Sequence, residues 1–190
     1  MGKRRAVFLD RDGTINVEVN FLSKVEEFQF IPGVPRALKG LKDAGFLLVV
    51  VTNQSGIGRG YYDEAALESI HSHMHADLAK FGAAIDACYF CPHHPEHALG
   101  DYRRECGCRK PLPGMLQQAA RDLDIDLAAS FMVGDKLADV EAGITAGCTA
   151  LLVLTGHGQA EMALLPAGVN AYPDLPAAAQ AILARVDFAK

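Results

Sequence analysis

The chain contains no apolar run of transmembrane length, so no segment is expected to span a bilayer as a helix. Only four apolar residues, Ala6 to Leu9, separate the basic start from the first acid, Asp10; that is too few for the core of a secretory signal. Position 6 is Ala, so Gly2 lacks the Ser or Thr that N-myristoylation requires. A cytoplasmic protein is expected. There is no excess of positive charge either: the formal net charge is −5 at pH 7, which argues against general nucleic-acid binding. The Lys3-Arg4-Arg5 cluster is too short to reverse that and reads as a solvated terminus. Gly56, Gly58 and Gly60 alternate, but no Gly-Lys-Ser/Thr follows them, which excludes a P-loop. Internal repeats, low-complexity tracts and interdomain linkers are also missing. Cysteines number five and, in a cytoplasmic setting, read as thiols or metal ligands before disulfides.

What is present fits one globular domain over residues 1–190, with 50% hydrophobic and 22% charged residues. Ala6-Val7-Phe8-Leu9 has no polar alternation and runs into Asp10-Arg11-Asp12-Gly13-Thr14. That pattern suits a strand buried on both faces, as in a parallel sheet, with Asp10 at its carboxyl end. Ligands of open α/β sheets bind beyond that edge. Two acids so close must bind a cation, pair with bases or shift their pKa values. A polar turn is the plainer explanation, and only the partners further along the chain outweigh it.

Residues 15–30 show no clean period and read as a loop folding over the mouth of the site. Pro32-Gly33-Val34-Pro35 opens a helix that Gly45 closes, and Phe46 to Val51 is a second buried strand ending in Thr52-Asn53-Gln54-Ser55-Gly56. A helix is expected over Asp63 to Lys80, with His71 and His75 one turn apart on an exposed face. A third strand is expected over Ile85 to Phe90, a helix from Pro113-Gly114, a fourth strand over Ser130 to Val133 ending in Gly134-Asp135, a fifth over Thr149 to Leu154, and a closing helix over Asp174 to Val186. The fold class is α/β: a three-layer Rossmann-like sandwich with a central, mostly parallel sheet and no large cap domain. Beyond residue 155 no chemistry is recognisable.

Cys91 and His93, then Cys106 and Cys108, offer three thiols and an imidazole, the ligands tetrahedral zinc prefers. His94 and His97 compete for the fourth position, and Cys88 with Cys91 forms a Cys-x-x-Cys that could be a redox pair. The intervening loop has little to bury, so a structural Zn²⁺ stapling residues 91–108 would supply folding free energy on the order of 10 kcal/mol. Arg109 and Lys110 follow at once, so a pinned loop would hand two cations to the site. Asp10, Asp12, Thr52, Lys110 and Asp135 thus converge at one sheet edge. Hard oxygen ligands there suit Mg²⁺, and the surrounding donors suit a phosphoryl group.

These motifs, Asp10-x-Asp12-Gly13-Thr14, Thr52 after a strand, Lys110 before a helix and Gly134-Asp135 with Asp139, resemble the haloacid dehalogenase superfamily of phosphatases over roughly residues 6 to 140. Cys-Pro-His-His-Pro and Cys-x-Cys-Arg-Lys-Pro are similar to its histidinol-phosphatase-like branch, which includes sugar-bisphosphate phosphatases. The resemblance implies that Asp10 is the nucleophile and that Asp12 is the general acid, then base. It implies Thr52 and Lys110 on the phosphoryl oxygens, and Mg²⁺ on Asp10, Asp12 and Asp135. It implies Zn²⁺ on Cys91, His93, Cys106 and Cys108, and Arg109 on a second, non-reacting phosphate. Glu18, Val19, Asn20, Phe21, Asn53, Gln54, Ser55 and Lys136 would line the sugar site, and Asp139 would stand behind the metal. The expected partner is a small-molecule sugar bisphosphate, with no nucleic acid, no membrane and a monomeric state. Hydrolysis of histidinol phosphate and a non-catalytic metal- and phosphate-binding module are the alternatives.

Overall fold

Apolar strands deliver polar tips to one edge of a single sheet. The computed structural model describes residues 2–187. Its strands are β1 (Ala6–Leu9), β2 (Leu47–Asn53), β3 (Ala87–Cys91), β4 (Phe131–Gly134), β5 (Thr149–Val153) and β6 (Asn170–Tyr172), in the order β3-β2-β1-β4-β5-β6. Every pairing is parallel. The first strand lies in the middle, where Leu9 pairs with Val50 on one side and Val133 on the other.

The connecting helices are α1 (Val34–Asp43), α2 (Ser55–Gly58), α3 (Glu64–Ala79), α4 (Gly114–Asp122), α5 (Leu137–Ala146), α6 (Gly158–Glu161) and α7 (Leu175–Asp187). Alternate residues of β1 face opposite layers. Val7 and Leu9 pack with Leu38 and Leu41 of α1, Ile70 and Met74 of α3 and Ile182 of α7. Ala6 and Phe8 pack with Leu116 and Ala119 of α4 and Ala142 of α5. Burial on both faces explains why these strands read as continuous apolar runs. Among the described residues, no helix is long and apolar enough to cross a membrane.

Three expectations shift. The third strand starts at Ala87, because Asp86 is spent on the sheet margin: it accepts from Leu48 N at 2.7 Å and pairs with Lys42 at 2.7 Å. Cys91 therefore closes the strand. The three-residue β6 was too short to carry a periodic signal. His71 is not on an exposed face: it is 5% exposed and shares the inner face of α3 with Leu67, Ile70, Met74 and Leu78, whereas His75 is exposed.

Candidate active site

Asp10 follows β1 directly, and its N–H donates to Val133 O at 2.9 Å, which ties it to the end of β4. Asp135 follows β4, and Asp139 lies in the first turn of α5, where its carboxylate accepts from Lys136 N at 2.9 Å. Oxygens of Asp10, Asp135 and Asp139 lie within 4.8 Å of one another, and all three residues are buried. Lys110 Nζ is the cation among them, 2.9 Å from Asp10 Oδ1 and 2.5 Å from Asp139 Oδ1, and it donates to Val51 O at 2.7 Å.

Burial and the Asp10 and Asp139 charges push the Asp135 carboxyl up to about 8. Burial and Asp10 push Asp139 up to about 6, with Lys110 opposing. Burial alone would depress Lys110, but Asp10 and Asp139 more than offset it and hold the ammonium above its usual range. Asp10 Oδ1 meets only the Lys110 ammonium, and Asp135 Oδ1 is buried without a hydrogen-bond donor. Gly13 and Gly156 leave space only for the Asp135 carboxylate: a Cβ on either would come within 2.3 Å and 2.2 Å of its Oδ2. Crowded, donor-starved carboxylates are what a hard divalent cation requires, so these residues fit Mg²⁺.

The structure brings Asp139 into this acid group, where the carboxylate of Asp12 was expected. Asp12 turns the other way, pairing with Arg11 Nη2 at 2.8 Å and accepting from Asn16 Nδ2 at 3.0 Å and Gln54 Nε2 at 2.9 Å. Burial works to raise its pKa, yet the Arg11 guanidinium and these hydrogen bonds leave it below the ordinary carboxylate range. Gln54 Nε2 also donates to the Thr52 hydroxyl at 2.8 Å, so Thr52 and Asp12 share one amide.

Beside these groups lies a cavity of about 320 Å³ lined by Asp12, Glu18, Val19, Asn20, Phe21, Asn53, Gln54, Ser55, Arg109, Lys110, Lys136 and His157, with Tyr62 completing one wall. Asp10, Thr52 and Asp135 are buried next to it. Asn53 does more than line the cavity: its amide donates to Lys110 O at 3.0 Å and accepts from Lys110 N at 3.1 Å, fixing the backbone that carries the lysine. Phe21 holds a left-handed φ of 56° and meets Tyr61 edge-on at 4.8 Å.

The zinc-type ligands also converge. Cys91 Sγ is 3.5 Å from Cys106 Sγ and 3.2 Å from Cys108 Sγ, and His93 Nδ1 lies 3.6 Å from Cys91 Sγ and 3.4 Å from Cys108 Sγ. Ligands about 2.3 Å from a tetrahedral ion stand a little under about 4 Å apart, so three unbridged thiols and an imidazole at these spacings fit Zn²⁺. His94 drops out as the fourth ligand because its Nδ1 accepts from the backbone of Glu96 and His97, both at 3.1 Å. Cys88 stays outside the cluster, beside His75 at 3.9 Å. The loop reaches the site through Arg109, whose Nη1 donates to His93 O at 3.1 Å.

Sequence reading overlooked His157. It follows β5, lines the cavity, donates its N–H to Asp135 Oδ2 at 2.9 Å and places Nε2 3.6 Å from Glu18 Oε2. Its flanking glycines after a buried strand were the available signal.

A parallel sheet carrying this acid group at its carboxyl edge defines the class as haloacid dehalogenase-like hydrolases, and the HAD-hydrolase-like family matches residues 107–178. Curated D-glycero-beta-D-manno-heptose-1,7-bisphosphate 7-phosphatases are similar over most of the chain. The Yersinia pestis protein is 47% identical over 182 residues, covering 93% of this chain and 95% of its own. The Haemophilus ducreyi protein is 52% identical over 158 residues, covering 82% and 86%. The solved D,D-heptose 1,7-bisphosphate phosphatase from B. bronchiseptica, complexed with magnesium and phosphate, superposes with a TM-score of 0.87 at 41% identity, covering 95% of this chain and 99% of its own. The chain belongs to this family of heptose-bisphosphate phosphatases.

Proposed function

We propose that the chain removes the C7 phosphate of D-glycero-D-manno-heptose 1,7-bisphosphate through an aspartyl-phosphate on Asp10, a step toward nucleotide-activated heptose for lipopolysaccharide. One observation carries this reading: a single cavity is lined by Asp12, by Lys110, whose ammonium touches Asp10 and Asp139 of the acid group behind it, and by Arg109 and Lys136, cations placed for a second phosphate and a sugar.

Asp10 and Asp135 would hold Mg²⁺, which when bound offsets the charge that otherwise keeps a carboxylate from approaching a phosphate. An Asp10 oxygen attacks phosphorus, and the bond from phosphorus to the C7 oxygen breaks. Asp12, ionised in the free protein, takes up a proton when the anionic phosphate lies beside it and gives that proton to the departing oxygen. The Asp12 carboxylate then takes a proton from water, whose oxygen attacks phosphorus, and the bond to Asp10 breaks; phosphate leaves, Asp12 releases its proton to solvent and both acids return to their starting state. Because its carboxylate is engaged by Arg11, Asn16 and Gln54, the side chain of Asp12 is assigned this proton-transfer role, and a contact of Asp12 with Mg²⁺ would fall to its main-chain carbonyl. Lys110 and Thr52 hold phosphoryl oxygens, Arg109 takes the phosphate at C1, and Glu18, Val19, Asn20, Phe21, Asn53, Gln54, Ser55 and Lys136 surround the heptose.

Zn²⁺ on Cys91, His93, Cys106 and Cys108 leaves no open coordination position, so its role is structural. It fixes the loop that carries Arg109. Phosphate release is measured with both anomers of the bisphosphate and with histidinol phosphate. The expected kcat/KM for a bisphosphate exceeds that for histidinol phosphate by at least about a hundredfold, because buried polar partners left unpaired penalise the wrong ligand. Equal rates, or full activity in Asp10→Asn, overturn the reading.

A further inference from the structure

Arg11 is the largest wholly buried side chain among the described residues, and its position inside the motif gives it no contact with the acid group. Its guanidinium is used in two directions. Nη2 donates to both Asp12 oxygens at 2.9 and 2.8 Å, and Nε to Oδ1 at 3.2 Å. On the far side, Nη1 lies 3.4 Å from His71 Nε2. His71 comes from α3, behind the sheet edge, and has no role in the chemistry above.

The side chain at position 71 must satisfy a buried donor without adding charge. A carboxylate there would compete with Asp12 for the guanidinium, and an aliphatic group would leave Nη1 unpaired, at a cost of about 1–3 kcal/mol. A neutral imidazole meets both demands. Burial first, and then Arg11, push the His71 pKa down to about 4, so at neutral pH its ring nitrogen is free to accept. On the other flank Tyr62 OH donates to Gln54 Oε1 at 2.5 Å, so the amide that reaches Asp12 is itself fixed.

We infer that Arg11 and His71 are a positioning pair for the general acid: His71 braces the guanidinium from α3, and Arg11 sets the Asp12 carboxyl group in the orientation from which, once protonated beside the bound phosphate, it protonates the departing oxygen. This rests on the assignment of Asp12 under the proposed function. A sugar alkoxide is a poor leaving group and needs that proton, whereas nitrophenolate leaves without it. Misplacing the acid therefore costs hydrolysis of the sugar phosphate and spares p-nitrophenyl phosphate. The informative quantity is kcat/KM, which covers only steps through loss of the alcohol and so excludes the later proton transfer from water.

The test measures kcat/KM for heptose 1,7-bisphosphate and p-nitrophenyl phosphate in Asp12→Asn, Arg11→Lys, His71→Leu and His71→Gln, with folding checked by circular dichroism. Asp12→Asn is expected to lose about 10²–10⁴-fold on the sugar phosphate and far less on the aryl ester. His71→Leu and Arg11→Lys are expected to lose about ten- to hundredfold on the sugar phosphate, the range for groups that orient a reacting side chain, with little change on the aryl ester. His71→Gln, which keeps an acceptor, restores most of the loss. Equal losses on both esters in the Arg11 and His71 variants, or none on either, overturn the pair while leaving Asp12 standing. An Asp12→Asn variant with no preference between esters overturns the acid and the pair together. If His71→Leu does not fold, Arg11→Lys decides, since it keeps the charge but cannot chelate two oxygens.

Discussion

Replacing Lys110 by methionine removes the buried cation of the acid group while keeping most of the packed volume. The lysine is 3% exposed and its ammonium has three partners: Asp10, Asp139 and the Val51 carbonyl. Removing one side of a buried ion pair costs about 3–5 kcal/mol. For a chain of this length that corresponds to a fall in Tm of about 6–20 °C, taking about 2–4 °C per kcal/mol. The loss is greatest at pH 8, because at lower pH the stranded carboxyls escape by protonating; Asp135 and Asp139 are already pushed up to about 8 and about 6 with the lysine present. Magnesium at a hundred times its Kd returns about 2.7 kcal/mol. At one fixed magnesium concentration the return is larger in Lys110→Met than in the parent chain, because Kd falls when the ion no longer meets a fixed ammonium. Scanning calorimetry on both proteins at pH 8, dialysed free of divalent ions and then titrated with Mg²⁺, reads each quantity. A metal-free fall below about 2 °C per the same scale, or a magnesium response no larger than in the parent, refutes the electrostatic account.

Raised carboxyl pKa values stabilise the fold only while those groups keep their protons. The contribution of Asp135 is complete below about pH 4 and is lost as pH rises through about 8, and that of Asp139 is lost through about 6; the contribution of His71, whose pKa is lowered to about 4, is present above its ordinary 6.5. Of these three groups only Asp135 still loses its contribution between pH 6.5 and 8, so the Tm of metal-free protein falls across that interval and saturating Mg²⁺ flattens the slope; a flat metal-free profile contradicts this. Cys106→Ser, by loosening the loop behind Arg109, raises KM for the bisphosphate about ten- to hundredfold and leaves p-nitrophenyl phosphate hydrolysis and Mg²⁺ affinity near the parent values; loss of discrimination without loss of zinc, read by metal analysis, would separate the two. Gly156→Ala sets a Cβ 2.2 Å from Asp135 Oδ2 and 2.8 Å from Gly13 Cα at a φ of +54°. It weakens Mg²⁺ binding about ten- to hundredfold by calorimetric titration, and unchanged affinity would mean that the Asp135 rotamer is not set by that loop.

Much of the site was legible because strands buried on both faces leave an unbroken apolar run, and the first polar residue after each run lands at the carboxyl edge. Asp10, Thr52 and Asp135 were found that way. The four metal-type ligands were legible from chemistry alone, being dense in a loop with nothing else to hold it. What escaped depends on packing between elements. Leu67, His71, Met74 and Leu78 follow the spacing of one helical face, so the burial of His71 was written in the pattern; the neighbouring His73 and His75 hid it. His157 sits in a loop whose composition says only that it turns. Asn53 looked like a cavity residue, and its reciprocal pairing with the Lys110 backbone requires a fold that joins residues 57 positions apart.

The two members of the opening acid pair, Asp10 and Asp12, are separated by how the chain allots its cations. Arg11 is committed to Asp12 and keeps it ionised in the free protein; Lys110 is committed to Asp10 and Asp139. Asp135 receives only a backbone N–H from His157, while the nearby Lys136 turns toward Glu18 at 3.3 Å. When all are ionised, four carboxylates thus share two buried cations, a shortfall of two positive charges; Asp10 Oδ1 has only the Lys110 ammonium and Asp135 Oδ1 has no donor. One divalent ion at those two oxygens closes the shortfall, whereas a monovalent ion would leave half of it. On the proposed reading the Asp12 carboxylate, already paired with Arg11, is the group left to move a proton. Burial and neighbouring charge push Asp135 up while Arg11 holds Asp12 down, and under the proposed function the metal falls to the former and the acid–base work to the latter.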